Sequence, residues 1–278
     1  MDTKKVWLVT GASKGLGLAL VKRLLTEGYK VAATSRTVEG LEKEIGQSAD
    51  FLPLETQLTD EESVNNAIEK TLETFGSIDV VVNNAGYGQI GTLEELSDKE
   101  ARRNFDINVF GSLNVIRSVM PHLRKQGSGH VINVSSIGGL IGSFPGFGIY
   151  CATKFAVAGF TESLAEEVKE FGIKISIVYP GYFRTNFLDK GSLNLPQNPI
   201  ADYKAVRDTE DWHESQMRGN QPGSPEKAAL AFIQLAENAH PPLHFFMGSD
   251  AFAMAQSKID VLQSELIGNE VLSKATDL

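Results

Sequence analysis

Tyr150 and Lys154 stand four residues apart in the run Tyr150-Cys151-Ala152-Thr153-Lys154, a spacing that puts both side chains on one face of a helix. A phenol ordinarily titrates near pH 10 and is a poor base at neutral pH. An ammonium held beside it favours the phenolate and draws it toward a useful range. The pair could then serve as a general acid in one direction and a general base in the other. Spacing alone also fits a tyrosine packed on an aliphatic lysine stem, so the rest of the chain has to decide.

A phosphate cradle is written near the start. Thr10-Gly11-Ala12-Ser13-Lys14-Gly15-Leu16-Gly17 follows a short apolar run and opens a helical pattern. Glycines at such a junction permit a tight turn, close approach of backbone to a pyrophosphate and close helix–strand packing, while the first N–H groups of the helix face the phosphates. Glycines also mark plain strand-to-helix turns; the position between the first strand and the first helix favours a dinucleotide. An acid about twenty residues further on would accept from a ribose 2′-hydroxyl. Arg36 stands there instead, nineteen residues after Gly17, and Lys14 lies inside the loop. Two cations at one spot suit a 2′-phosphate, so NADP(H) is the preferred cofactor. Glu39 nearby leaves NAD(H) possible.

Other chemistries fall away. The chain has one cysteine, Cys151, and five histidines, His122, His130, His213, His240 and His244. No internal disulfide or thiolate zinc cluster can form. Only the last two histidines are four apart, and Pro241 and Pro242 between them forbid the helix that would align them. No metal is expected, and packing accounts for all five. A net charge of -9 argues against a nucleic-acid partner. The first apolar run is too short for a secretion signal, and no stretch reaches membrane-spanning length, so the expected location is the cytoplasm with no membrane contact.

The elements that must hold these groups alternate in βαβ fashion. Strands are predicted at 6–10, 30–35, 50–55, 80–83, 130–135, 174–179 and 244–247, each Val/Ile/Phe-rich as for strands covered on both faces. Thr59-Asp60-Glu61-Glu62 and Ser97-Asp98-Lys99-Glu100 fit capping boxes, and Ser224-Pro225 fits an N-cap with proline at the first helical position. The helix after Ser97 runs toward Pro121, and one around 155–171 ends at Gly172. The fold class is therefore α/β, a doubly wound, Rossmann-type parallel sheet of seven strands with helices on both faces. Its ligand crevice lies at the carboxyl ends of the strands. One domain over 1–278 suffices, with a polar, Gly/Pro-bracketed insertion at 186–223 acting as a substrate lid.

Taken together these pieces resemble the short-chain dehydrogenase/reductase family. TGASKGLG (10–17), NNAG (83–86), the asparagine of Asp106-Ile107-Asn108-Val109, Ser136 in Asn133-Val134-Ser135-Ser136, YCATK (150–154) and Pro180-Gly181-Tyr182-Phe183-Arg184-Thr185 stand in family order. The resemblance implies Tyr150 as proton donor or acceptor, and Lys154 as the residue that lowers the phenol's pKa and binds the nicotinamide ribose. It implies Ser136 as the group polarising the substrate oxygen, and Asn108 as holder of a water linking Lys154 to solvent. Asn84, Ala85 and Gly86 would line the adenine-ribose side, and Pro180, Gly181 and Thr185 the carboxamide. Plainer roles stay open: Asn108 could cap or bend its helix, Ser135 could be the active hydroxyl, and Thr185 could be an N-cap. The family's usual aspartate before the third helix is replaced by Gln57, next to Leu58, and a glutamine carbonyl can still accept from adenine. Ser136 and Tyr150 are fourteen apart, one more than usual, which lengthens the glycine-rich loop 138–148.

The expected substrate wall comprises Ile141, Phe144 and Phe147, Tyr87 and Gln89, and Phe187, Tyr203 and Trp212 of the insertion. Such a lining suits an apolar carbonyl or alcohol substrate, and core packing of the lid is an equal alternative. Family members are dimers or tetramers, so a homodimer or homotetramer through helices at 98–126 and 152–171 is expected. The function read from all this is an NADP(H)-dependent oxidoreductase acting on a carbonyl or secondary alcohol. The alternatives are an NAD-dependent alcohol dehydrogenase and a catalytically silent NADP(H) sensor on the same fold.

Overall fold

A computed structural model describes residues 4–278. The elements are β1 (Val6–Val9), α1 (Gly15–Thr26), β2 (Lys30–Ser35), α2 (Glu39–Ile45), β3 (Phe51–Glu55), α3 (Glu61–Phe75), β4 (Val80–Asn83), β5 (Gly88–Gln89), α4 (Asp98–Phe105), α5 (Gly111–Gln126), β6 (Gly129–Val134), α6 (Gly148–Glu167), β7 (Ile173–Pro180), β8 (Leu193–Asn194), α7 (Lys204–Trp212), α8 (Pro225–Glu237), β9 (His244–Met247), α9 (Ser249–Gly268) and α10 (Glu270–Lys274). Seven strands form one parallel sheet in the order β3-β2-β1-β4-β6-β7-β9. This is the doubly wound arrangement predicted, with the strand order reversing beside β1, where such sheets open a crevice.

Side-chain alternation divides the core in two. Trp7, Val9, Val31, Ala33, Val80 and Val82 pack with Leu20 and Leu24 of α1 and Phe232 of α8. Leu8, Ala32, Val81 and Val131 pack on the other face with Ile68 of α3, Val119 of α5 and Leu164 of α6. Burial on both faces is why these strands read as continuous apolar runs.

Helix ends follow the sequence with three differences. Ser97 makes the full capping box with Glu100, and Ser224 accepts from Lys227 N before Pro225. At α3 the cap is Asp60 rather than Thr59. Asp60 directly precedes the helix, and its carboxylate accepts from the Glu62 and Ser63 amides. The predicted single helix after Ser97 is broken by a π-helical turn, Asp106–Phe110. It then runs past Pro121 to Gln126; the carbonyl that Pro121 leaves without a helical partner belongs to Arg117, on the exposed side. Helix α6, predicted around 155–171, begins earlier, at Gly148, and a short 3₁₀ turn intervenes before left-handed Gly172.

Segment 186–223 closes over the carboxyl ends of the strands. Its base is a bridge between Phe183 and Gly223, and β8 pairs with β5. Buried Glu95 pins its far side, accepting from Ile200 N at 2.6 Å and pairing with Arg207 at 2.9 Å. Burial works to raise that carboxyl, but the Thr92 and Ile200 amides and the Arg207 guanidinium hold it below the usual carboxylate range. No helix among the described residues is long and apolar enough to cross a membrane.

Candidate active site

The glycine loop is fixed by its neighbours. Gly11 has φ +64°, and a Cβ there would lie 2.7 Å from Ala85 Cα. A Cβ on Gly17 would lie 2.6 Å from Asn84 Nδ2 and 2.8 Å from Gly11 O. Thr10 Oγ1 accepts from the Asn84 and Ala85 amides at 3.0 and 3.1 Å, and Asn84 Nδ2 donates to Thr10 O and Gly11 O at 2.9 and 3.1 Å. The loop and the turn after β4 are thus one unit. Asn84 lines the crevice, but its amide is occupied in shaping the loop, and Gly17 lies beneath the loop rather than on the cavity wall.

A cavity of about 470 Å³ runs along the carboxyl ends of the strands. At one end stand Gly11, Ser13, Lys14, Gly15, Leu16, Arg36, Gln57 and Leu58, and at the other Ser136, Tyr150, Lys154, Pro180, Gly181 and Thr185, with Ala85 and Gly86 between. Its charged lining among the described residues is Lys14, Arg36, Arg103 and Lys154, with no carboxylate. Glu39, the residue that kept an NAD preference open, is exposed and off this wall.

Tyr150 and Lys154 occupy the first two turns of α6, and both are buried. Lys154 Nζ donates to Val134 O at 3.0 Å and lies 5.9 Å from the Tyr150 ring centroid. Burial pushes the Lys154 ammonium down to about 8. Burial also raises the Tyr150 phenol, with the Ser136 hydroxyl pulling the other way. The expected lowering of the phenol by its lysine is therefore reversed in the protein alone. Desolvation disfavours both charged forms, and the ammonium is aimed at a backbone carbonyl.

Hydrogen bonds distinguish the two serines. Ser135 Oγ donates to Lys154 O at 2.8 Å, tying β6 to α6. Ser136 Oγ accepts from Gly138 N at 3.1 Å at the start of a 3₁₀ turn and keeps its proton for the cavity. Asn108 sits in the π-helical turn, behind the wall. Its Oδ1 accepts from Tyr87 N, and its Nδ2 donates to Tyr87 O and Thr153 Oγ1, all at 3.0 Å. The Asn108 side chain thus clamps the turn after β4 to α6. A Cβ on Gly86 would come 3.0 Å from Asn108 Oδ1 and 3.5 Å from Lys154 Nζ, so the turn fits tightly between them. Thr185 both lines the cavity and caps a short turn, accepting from Phe187 N at 3.2 Å.

Of the expected substrate wall, Tyr87, Phe144, Phe147 and Phe187 line the cavity. Ile141 packs against α9 with Ala251 and Ala255. Gln89 is buried and donates to Ile90 O, Tyr203 bonds to Glu94, and Trp212 lies outside, edge-on to Tyr182 and His213. In their place come Tyr182 and His213, joined by a 3.0 Å hydrogen bond. His213, expected to be a packing residue, thus lines the cavity; the signal that points to it is its position inside segment 186–223. Among the described residues no cluster of His, Cys, Asp and Glu could hold a metal ion.

Comparison with known proteins agrees with this geometry. The family model for short chain dehydrogenases matches residues 5–194. Oxidoreductase BOA17 of Botryotinia fuckeliana is 36% identical, over 94% of each chain. A 3-ketodihydrosphingosine reductase of Bacteroides thetaiotaomicron is 34% identical, over 88% of each. The crystal structure of a short-chain dehydrogenase from Streptomyces avermitilis superposes with a TM-score of 0.90 at 37% identity, covering all of both chains. Two more distant structures carry dinucleotides: a 3-ketoacyl-(acyl-carrier-protein) reductase from Brucella melitensis complexed with NADH (27% identity, TM-score 0.72, 87% and 96% covered) and ElxO with NADP bound (28%, 0.74, 90% and 99%). From its glycine loop to its tyrosine–lysine helix, this chain belongs to the short-chain dehydrogenase/reductase family of oxidoreductases.

Proposed function

We propose that the protein is an NADP(H)-dependent oxidoreductase interconverting a carbonyl and a secondary alcohol, with Tyr150 as the general acid or base. The observation that carries this reading is one continuous cavity. It has the glycine loop with Lys14 and Arg36 at one end and Ser136, Tyr150 and Lys154 at the other. The residues fit a dinucleotide, because Gly11, Ser13, Gly15 and Leu16 line the cavity where the loop enters α1, and Gly11 and Gly17 let that loop close against the Asn84-Ala85 turn. Lys14 and Arg36, with no carboxylate beside them, support a 2′-phosphate and so NADP(H). Relatives with NADH and with NADP keep both cofactors within the family's range.

When bound, the cofactor supplies or accepts hydride. Ser136 Oγ donates to the substrate oxygen, and Tyr150 transfers the proton to or from it. Burial holds the Tyr150 phenol protonated, the form needed to reduce a carbonyl. Lys154, fixed by Val134 O, would hold the ribose hydroxyls of the bound cofactor, and Asn108 acts as a positioning residue that sets Gly86 and Lys154 through Tyr87 and Thr153. Phe144, Phe147, Phe187 and Leu188 give the substrate end an apolar lining. Phe110, Phe155 and Phe171, exposed on the segments 98–126 and 152–171, support a homodimer or homotetramer through those segments, read out by light scattering at micromolar concentration.

The test is a panel of apolar ketones and aldehydes assayed for oxidation of NADPH and NADH. Consumption of NADPH with at least one carbonyl, faster than of NADH, is expected. Dinucleotide bound but never consumed across the panel would favour the sensing role instead.

A further inference from the structure

The cavity contains a polar pair that the proton chemistry does not use. His213 opens a π-helical turn at the end of α7 and is buried. Its Nδ1 lies 2.7 Å from Thr209 O. A carbonyl can only accept, so Nδ1 carries the ring proton. Burial pushes the ring below its ordinary pKa, with the Thr209 carbonyl partly opposing, so the imidazole is neutral and Nε2 offers a lone pair alone. That lone pair faces the Tyr182 hydroxyl at 3.0 Å. The single proton of Tyr182 is thereby committed to His213, and what Tyr182 turns to the cavity is oxygen lone pairs. Burial pushes this phenol up to about 12, so it is a neutral acceptor and not a phenolate.

We infer that the Tyr182–His213 pair reads a hydrogen-bond donor on the substrate, a hydroxyl or amino group set apart from the reacting carbonyl. This rests on the catalytic reading above and deepens it. The two ends of the substrate space have opposite polarity. Ser136 and Tyr150 offer protons to an oxygen, whereas Tyr182 offers an acceptor. The surroundings make that acceptor matter. Phe147 lies between the ends, its ring centroid 6.0 Å from that of Tyr150 and 5.2 Å from that of His213. Trp212 packs edge-on behind both Tyr182 and His213, 5.9 and 4.9 Å away. In such an apolar lining, an alkyl group placed against Tyr182 strips its oxygen of water and gives nothing back, whereas a donor replaces the lost bond.

The probes are alkan-2-ones of graded chain length, the same ketones with a terminal hydroxyl, and the same with a terminal methoxy group. At the best length the hydroxy ketone should exceed both others by about tenfold in kcat/KM, the difference residing in KM. In Tyr182→Phe that ratio should fall to near one. In His213→Leu the Tyr182 proton is released to donate, so the methoxy ketone should gain on the hydroxy ketone. Equal treatment of hydroxy and plain ketones at every length, or a preference that survives Tyr182→Phe, would overturn the assignment. Equilibrium binding of the same probes to the NADP-loaded protein reads the preference without turnover. A hydroxyl preference in binding with no NADPH oxidation sustains the donor-reading pair and sinks the catalytic proposal; oxidation without preference does the reverse.

Discussion

The two halves of the cavity are built from different material. The dinucleotide half is mostly backbone: Gly11, Gly17 and the turn at Asn84-Ala85-Gly86 interlock through main-chain atoms, the hydroxyl of Thr10 and the amide of Asn84, with no room for a Cβ at Gly11 or Gly17. The substrate half is side chains from widely spaced segments, with Phe144 and Phe147 from the long glycine-rich loop and Phe187 and His213 from the lid. A backbone-built site can fit one ligand shape and changes only if the fold changes. A side-chain-built site can be re-lined while the sheet stays as it is. Tyr150 and Lys154 sit where the halves meet, on a helix anchored to β6 by Ser135.

Substitutions can break this contrast or sharpen it. The largest effect belongs to the boundary: Tyr150→Phe should lower kcat by about 10²–10⁴-fold while fluorescence titration still detects NADPH binding. A kcat within a few-fold of the parent would remove the phenol from proton transfer. Next, Gly17→Ala drives a methyl onto Asn84 and Gly11, an overpacking of about 1–3 kcal/mol, so NADPH should bind about 10–100-fold more weakly. An unshifted dissociation constant would mean that the backbone half yields as readily as the other. Arg36→Asp should move the NADPH-to-NADH ratio of kcat/KM toward NADH by at least about tenfold, the scale of one lost charge-assisted bond; a constant ratio would leave Arg36 a solvated surface charge.

A smaller effect is thermodynamic. Lys154 sits at about 8 when folded, below its ordinary value. Above pH 8 the unfolded chain therefore binds a proton that the native protein does not, and stability should rise with pH. Cys151 and Tyr150 are both raised by burial, and they work the opposite way once the pH passes their unfolded values. Between pH 8 and 9 the lysine should thus contribute about 1 kcal/mol of rising stability in cofactor-free protein. Lys154→Met should lack that rise in urea unfolding; identical pH slopes would show that the ammonium is not desolvated. Smallest of all, Trp212→Ala removes only an edge-on support of Tyr182 and His213, a contact worth about 0.5–1.5 kcal/mol. A few-fold change in KM with dinucleotide affinity unmoved is expected in steady-state kinetics, and a larger loss of NADPH binding would tie the lid to the other half.

What the sequence made legible follows the same division. The seven strands, the glycine loop and the tyrosine–lysine pair depend on local spacing, and each falls within a residue or two of its predicted place. The π-helical turn at Asp106–Phe110 carries no breaker. It lies where Asn104 and Asn108 both donate to Tyr87 O, a partner far away in the chain. Ser135 and Ser136 are indistinguishable until β6 ends and the next turn points one hydroxyl into α6 and the other into the cavity. Trp212 and His213 are neighbours in sequence, yet the rotation of the lid helix puts one outside and the other in. The fall of Lys154 and the rise of Tyr150 come from burial, which a motif does not display.

The four cations along the cavity have a consequence for kinetics. The chain as a whole carries a charge of -9, so its net field repels a polyanionic nucleotide while these four cations attract it locally at this mouth. Diffusing anions are therefore turned away broadly and funnelled narrowly, and their capture rate should fall as dissolved salt shortens the reach of that attraction to about 10 Å and below. Ionic strength then acts as a throttle on how fast the nucleotide loads, without touching the proton-transfer step itself.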